Sequence, residues 1–327
     1  MTEEHDDSPS EDAHRQPSAW YRANGRSGLH MSAIGISLQR YYGHDESTTV
    51  MRSLLDGAIS MGINHIDTAP QYGPPYGAAE ENFGRLLPKL SRQREELVIA
   101  TQAGLGTQPG PFAGFASRKR VVASLEASLR RMGLEYVDVF YVHRHDPFTP
   151  LEETMGALDW VVRQGKALYV GLSGYAPALL QKGASMLNSM GTPLTTCKVS
   201  YSMRNRWPEY GLFDVLEESG FGCVTEGTLD LETDPLAGSS ESVDEALQLE
   251  FEASHRHLAR IAEARGQTPA QCAISWTLRR SCMTSVLTHP SSMPDLVEYA
   301  AALKNTEFTD AELSAIAECF TSPEELY

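Results

Sequence analysis

The chain has 327 residues, 41% hydrophobic and 21% charged, with 27 basic against 43 acidic side chains and a formal net charge of −16 at pH 7. That surplus of acid argues against a nucleic acid or an anionic membrane surface as partner. No apolar run reaches the roughly 20 residues that a membrane-spanning helix needs, and the length allows one large core or two domains.

Residues 1–18 hold six acids and one base. A segment this polar cannot bury enough apolar surface to order itself, so the expectation is a disordered acidic tail ahead of a single folded unit over residues 19–327. The opening has neither a basic start nor an apolar stretch, which gives a cytoplasmic expectation rather than a secretory one. Next, the short "YRANGRSGLH" ahead of the first barrel strand predicts a hairpin, placed as a plug at the bottom of the fold.

From there short apolar strands alternate with amphipathic helices. The strands are "SAIGISL", "NHIDTA", "ELVIATQ", "YVDVFYVHR", "ALYVGLSG", "TTCKVSYS", "FGCVTEG" and "TSVLTHP". Between them lie helical patterns such as "SRKRVVASLEASLRRMG", which ends on Gly, and "PLEETMGALDWVVRQGK", which starts on Pro and ends on Gly-Lys. Parallel neighbours need crossover helices, so eight strands of this kind predict a (β/α)₈ barrel with extra helices at the C-terminal end. No GxGxxG follows the first strand, which weakens a doubly wound dinucleotide-binding sheet. Five scattered cysteines, Cys197, Cys223, Cys272, Cys282 and Cys319, form no CxxC pair and read as reduced core thiols, with no metal site expected.

In such barrels the chemistry sits where strands end and loops begin. The positions to weigh are Asp67 and Tyr72 after the second barrel strand, Gln102 after the third and His143 after the fourth. Ser173 and Gly174 follow the fifth, Lys198 and Tyr201 the sixth, Glu226 to Asp230 the seventh, and Thr288 to Ser292 the eighth.

"HIDTAPQYG" resembles the DTAxxYG signature of the aldo-keto reductase superfamily, and "SLRRMGLEYVDVFYVHRHDPFTPLEETMGALDWVVRQGKALYVGLSGY" resembles its central block nearly unbroken. "YGPPYGAAEENFGRLL" is especially similar to the bacterial branch that holds L-glyceraldehyde 3-phosphate reductases, related to potassium-channel β subunits. The resemblance implies a tetrad of Asp, Tyr, Lys and His acting on a carbonyl, with Tyr giving a proton while NADPH gives a hydride. Asp67, Tyr72 and His143 match their counterparts. The lysine position holds Gln102, so "TQAG" stands where the family reads "TKAG".

Other positions depart from what the resemblance implies. After the eighth strand an Arg should meet the 2′-phosphate of NADPH, with Gln and Asn holding the adenine end; here the matching residues are Ser292, Asp295 and Tyr299. The phosphate-wrapping loop after the seventh strand carries Glu226, Asp230, Glu232 and Asp234, whose charge repels phosphates. The Gln that holds the nicotinamide amide is replaced by Lys198, whereas the stacking Tyr reads as kept in Tyr201, and Ser173 precedes Gly174 where a polar pair is usual.

Without a lysine nearby, Asp67 lacks a counter-ion and Tyr72 holds its proton more tightly. Lys198 has two readings: an ammonium that restores the missing charge from the opposite wall of the barrel or acts as an amine nucleophile, or a side chain that snorkels to solvent. Glu226 is a candidate base or a surface acid. The expectation drawn from these losses is an enzyme that has given up NADPH and needs no cofactor. It would run redox-neutral acid–base chemistry (dehydration, isomerisation, cyclisation or carbon–carbon cleavage) on a small polar molecule, with a place in secondary metabolism. The alternatives are an NADPH-dependent aldehyde or ketone reductase with an atypical site, and a non-catalytic regulatory or binding subunit. An oligomer is compatible with each.

Overall fold

The computed structural model describes residues 20–104, 116–229 and 245–320. The acidic tail expected over residues 1–18 lies outside them, as do Asp230, Glu232 and Asp234. The chain opens with β1 (Tyr21–Ala23) and β2 (His30–Ser32), an antiparallel hairpin in which Tyr21 pairs with Ser32. Gly25 turns it at φ 59°, and a Cβ there would stand 2.3 Å from the carbonyl oxygen of Gly220, so the hairpin docks on the rest of the molecule only because this residue has no side chain.

Eight parallel strands follow, each separated from the next by one or more helices. They are β3 (Ile34–Ser37), α1 (Thr48–Ser60), β4 (His65–Asp67), α2 (Ala78–Leu86), β5 (Val98–Gly104), α3 (Arg118–Met132), β6 (Val137–His143), α4 (Leu151–Arg163), β7 (Ala167–Ser173), α5 (Pro177–Ser189), β8 (Thr196–Ser200), α6 (Leu212–Ser219), β9 (Gly222–Glu226), α7 (Glu245–Ala264), α8 (Pro269–Leu278) and β10 (Met283–Thr288). Each strand pairs with the next, and β10 returns to β3 with Val286 opposite Ile34, closing the barrel. Two further helices, α9 (Met293–Ala301) and α10 (Asp310–Cys319), follow among the described residues. The barrel, the hairpin and the extra C-terminal helices are those the residue pattern predicted.

Local chemistry explains the elements. In α3 the buried residues are Val121, Ser124, Leu125, Ser128, Leu129 and Met132, a stripe at helical spacing that faces the sheet. Gly133 ends that helix in the left-handed conformation, φ 67° and ψ 33°. Helix α8 starts on a capping box between Thr268 and Gln271 with Pro269 in the first turn.

The strands sort their side chains by parity. Outward residues such as Ile99, Phe140 and Val142 join the large core beneath the helices, whereas Val98, Ala100, Val139, Tyr141, Val224 and Leu287 form a separate cluster inside the bore. Met31 of the hairpin belongs to that inner cluster, so the hairpin closes the bottom of the barrel. Chemistry is therefore confined to the opposite end. All five cysteines are buried and free. Trp276 is buried in the core, while Trp160 on α4 is 36% exposed.

Candidate active site

Parity places five polar residues on the inner wall at the C-terminal ends of their strands: Asp67 on β4, Gln102 on β5, His143 on β6, Ser173 on β7 and Lys198 on β8. Tyr72 reaches the same volume from the loop after β4. Its backbone N–H donates to Ala69 and its carbonyl accepts from Ala79, folding the loop back over the strand end. Gly73, at φ 65°, passes so close to Gly43 that a Cβ would approach its Cα to 3.1 Å. Asn82 of α2 donates to the carbonyls of Tyr42 and Gly43 and fixes the neighbouring loop. Tyr72 is thus held rigidly and is only 4% exposed.

The centre of the site is an ion pair. Lys198 Nζ donates to both carboxylate oxygens of Asp67, at 3.1 and 3.2 Å, and both side chains are almost wholly buried. The Tyr72 hydroxyl donates to Asp67 Oδ2 at 3.2 Å. Lys198 Nζ lies 5.9 Å from the centre of the Tyr72 ring and 5.2 Å from that of Tyr141. Asp67 therefore has a counter-ion, and the expectation that the change to Gln102 leaves it unpaired is corrected. The ammonium crosses the bore from β8 instead of rising from β5. Lys198 does not snorkel to solvent.

Protonation follows from burial and these charges. Burial lifts the Asp67 carboxyl above its ordinary value; the Lys198 ammonium pulls it back and the Glu226 carboxylate adds to the rise. The Tyr72 phenol is pushed well above its usual value by burial first, then by the charges of Asp67 and Glu226. His143 is lowered to about 4 by burial and by the Lys198 charge, so its imidazole is neutral at pH 7. Its Nδ1 lies 2.9 Å from Ser173 Oγ, which leaves Nε2 as the nitrogen open to a ligand. Glu226, half-buried at the end of β9, acts on the site through its charge; no hydrogen bond joins it to Asp67 or Tyr72.

Tyr201 is not where the resemblance put it. It follows an inward Lys198 by an odd number of residues and turns outward, fully buried, stacked on Trp276 with ring centres 5.1 Å apart. Its hydroxyl donates to Glu209 at 2.5 Å and accepts from Arg279. It is a packing residue outside the bore, and no ring stacks from there onto anything in the mouth. Arg204 is exposed, and Asp146 braces its loop by accepting from Ala116, Phe148 and Thr149.

Sequence reasoning missed a groove that leaves the mouth between β3 and α9. Arg40, Tyr41, Leu287, His289, Asp295 and Tyr299 are among its lining residues, and its volume is about 230 Å³. Tyr41 adopts a positive φ of 62° and is 42% exposed. The signal was present in "LQRYYG", an arginine and two aromatics just past a strand end, but only the closed barrel sets it beside α9. Arg144, directly after His143, also has a positive φ of 62° and an exposed side chain. Backbone strain in a non-glycine residue beside a candidate catalytic group is a recurrent mark of functional sites.

A nicotinamide dinucleotide fits the residues present. Two buried polar atoms at the mouth, Gln102 Oε1 and His289 Nδ1, have no hydrogen-bond partner among the described residues and suit the polar edges of such a molecule. The groove gives its long arm a path out of the barrel.

A profile described as the Aldo/keto reductase family matches residues 41–320. The chain is 40% identical over 317 residues to L-glyceraldehyde 3-phosphate reductases of Escherichia coli O157:H7 and of Escherichia coli strain K12, covering 90% of this chain and 91% of each relative. It is 30% identical over 315 residues to a putative voltage-gated potassium channel subunit beta of Schizosaccharomyces pombe, covering 89% of both. These relatives overturn the expectation of a cofactor-free lyase or isomerase with redox-neutral chemistry. At 40% identity along nine-tenths of the chain the similar proteins are reductases, and the lysine whose loss suggested otherwise has a buried substitute. No helix among the described residues is long and apolar enough to cross a membrane.

Proposed function

We propose that the chain, which belongs to the aldo/keto reductase family, is a carbonyl reductase that uses a nicotinamide dinucleotide on a short hydroxyaldehyde. The observation that carries this reading is the buried Lys198–Asp67 pair beneath the Tyr72 hydroxyl. It rebuilds an Asp–Tyr–Lys–His centre with the cation delivered from the opposite wall.

The roles follow from the geometry. Tyr72, kept protonated by burial and by the neighbouring carboxylates, is the proton donor to the carbonyl oxygen. The Lys198 ammonium stands close enough to favour the phenolate left behind. Asp67 holds the ammonium with two hydrogen bonds and orients the phenol with a third. His143 is neutral, and with Ser173 on Nδ1 its Nε2 is the nitrogen that can donate to the same carbonyl oxygen. Gln102 keeps the wall polar where a second ammonium would crowd Lys198. When bound, the reduced dinucleotide (NADPH in the family resemblance) supplies the hydride to the carbonyl carbon.

The substrate class takes support from two sides. The Escherichia coli relatives are named for L-glyceraldehyde 3-phosphate. Here Arg144 sets a guanidinium at the rim, near enough for its charge to act on His143, and a guanidinium suits a phosphate ester. Loss of reduced-nicotinamide absorbance on adding glyceraldehyde 3-phosphate, and then unphosphorylated glyceraldehyde, tests the proposal. The expected result is turnover of both, with the phosphorylated aldehyde having the lower KM. No turnover of any short aldehyde, with either reduced dinucleotide, would sink it.

A further inference from the structure

The groove between β3 and α9 has an unusual charge arrangement at its outer end. The α9 N-terminus is a place where a phosphate would find unpaired N–H donors and the positive end of a helix dipole. In this chain the N–H groups of Ser291, Ser292 and Asp295 at that end are taken. Asp295 Oδ2 accepts from Ser291 N at 2.9 Å, Ser291 Oγ at 2.7 Å and Ser292 N at 3.1 Å, and Ser292 Oγ accepts in return from Asp295 N. These bonds hold the Asp295 carboxyl below its ordinary value, so it is ionised at neutral pH. The helix end is thus capped by the protein's own anion. Glu298 of α9 lines the same groove and adds a second carboxylate, with Arg40 as the facing cation.

A phosphate dianion at that end would meet Asp295 instead of free donors. Two like charges this close repel, and the protein surface screens them less than bulk water does. A ribose diol meets the opposite situation, since a carboxylate with one oxygen saturated still has the other to accept from hydroxyls. An acid in this role on a ribose 2′-OH is the general device by which dinucleotide sites favour the cofactor without the extra phosphate. Tyr41, half-exposed on the groove wall, and Tyr299 offer aromatic surface to a base.

We propose that this groove receives the adenosine end of a dinucleotide lacking a 2′-phosphate, so that the protein prefers NADH to NADPH, and that Asp295 is the specificity-determining residue. The inference rests on the reductase reading above and narrows its cofactor.

Calorimetric titration of the full chain with NADH and NADPH separately, in the absence of any aldehyde, reads affinity without turnover. NADH is expected to bind at least tenfold more tightly. Asp295→Asn keeps a polar side chain at the cap and removes its charge; it is expected to improve NADPH binding at least fivefold and to leave or weaken that of NADH. Thermal unfolding of the variant identifies any loss of fold, and Asp295→Ser, which retains a hydroxyl acceptor, provides a second neutral cap. Equal or tighter binding of NADPH by the wild-type protein overturns the inference and leaves the reductase reading intact. An unchanged ratio in both folded variants overturns the role of Asp295. Binding of neither dinucleotide overturns the inference and the reductase reading together.

Discussion

The β5 and β8 walls of the barrel, three strands apart, border one bore and have exchanged a charge, and β8 is the wall opposite β4 and its Asp67. On β5, Gln102 is buried and neutral, with an amide oxygen that no group among the described residues meets. On β8, Lys198 is equally buried but carries the ammonium that Asp67 requires. The contrast teaches that what the centre needs is a cation at a point in space. A closed barrel offers several strands from which to deliver it, because inward positions on every wall converge on the same volume. The walls are not equivalent, however: from β8 the ammonium meets Asp67 with both oxygens, and the Tyr72 hydroxyl is left to bond the carboxylate.

The strongest way to break this comparison is Lys198→Met. It strands a buried carboxylate, which typically costs about 3 to 5 kcal/mol, and removes the cation beside Tyr72. Chemical denaturation should show that loss, and kcat/KM for aldehyde reduction should fall by roughly 10³ or more as acid–base assistance disappears. A variant with wild-type turnover would remove Lys198 from the mechanism. Tyr72→Phe is expected to lower kcat by about 10² to 10⁴ while changing stability by only about 1 kcal/mol, the worth of one hydrogen bond; comparing kcat with the unfolding midpoint separates the two effects.

The exchange itself can be reversed. Combining Gln102→Lys with Lys198→Gln moves the ammonium to the β5 wall, and turnover should recover to within about tenfold of wild type, against the roughly 10³ loss expected when the cation is absent. Failure of this double variant, with the fold retained, would show that the β8 origin of the charge matters in its own right.

A smaller effect comes from pH. His65, His143 and His289 are lowered by burial to about 3, 4 and 4, all below the ordinary imidazole value. A depressed native value means that the unfolded chain binds protons first. Stability is therefore full above about pH 6.5 and declines as pH falls through 4. Asp67 and Asp138, raised in the folded state, work in the opposite direction, whereas Asp146, Glu209, Asp295 and Glu312, held low, lose stability in acid as the imidazoles do. Melting temperatures across this range should fall with acid, and a flat profile would contradict the burial assigned to these rings. The smallest expected change is Tyr201→Phe. Removing its hydroxyl from Glu209 and Arg279 should cost about 1 to 3 kcal/mol and leave dinucleotide affinity unchanged; weakened cofactor binding would return Tyr201 to the site.

Much of this was legible beforehand in particular residues. Strand and helix alternation, the N-terminal hairpin stretch and the Gly133 stop are local signals, and they led to the barrel because each is written in neighbouring positions. Asp67, Tyr72 and His143 stood at strand ends and lie together there. Tyr201 misled, since its motif matched while its parity relative to Lys198 turned it away from the bore. The cofactor reading misled for a related reason: the lysine, the phosphate fork, the phosphate loop and the amide-holding Gln were all counted as losses, although Lys198 makes up for the first of them from the opposite wall of the barrel.

Along the chain, residue types and their spacing determined a closed parallel barrel and which residues end its strands, because hydrophobic periodicity and turn chemistry act over a few residues. Which of those ends touch was decided only in three dimensions. Lys198 and Asp67 are 131 positions apart, and whether a buried ammonium meets a carboxylate or faces solvent depends on strand register and on the curvature of the closed sheet. The same closure sets Tyr41 beside α9, and no local pattern encodes that neighbourhood.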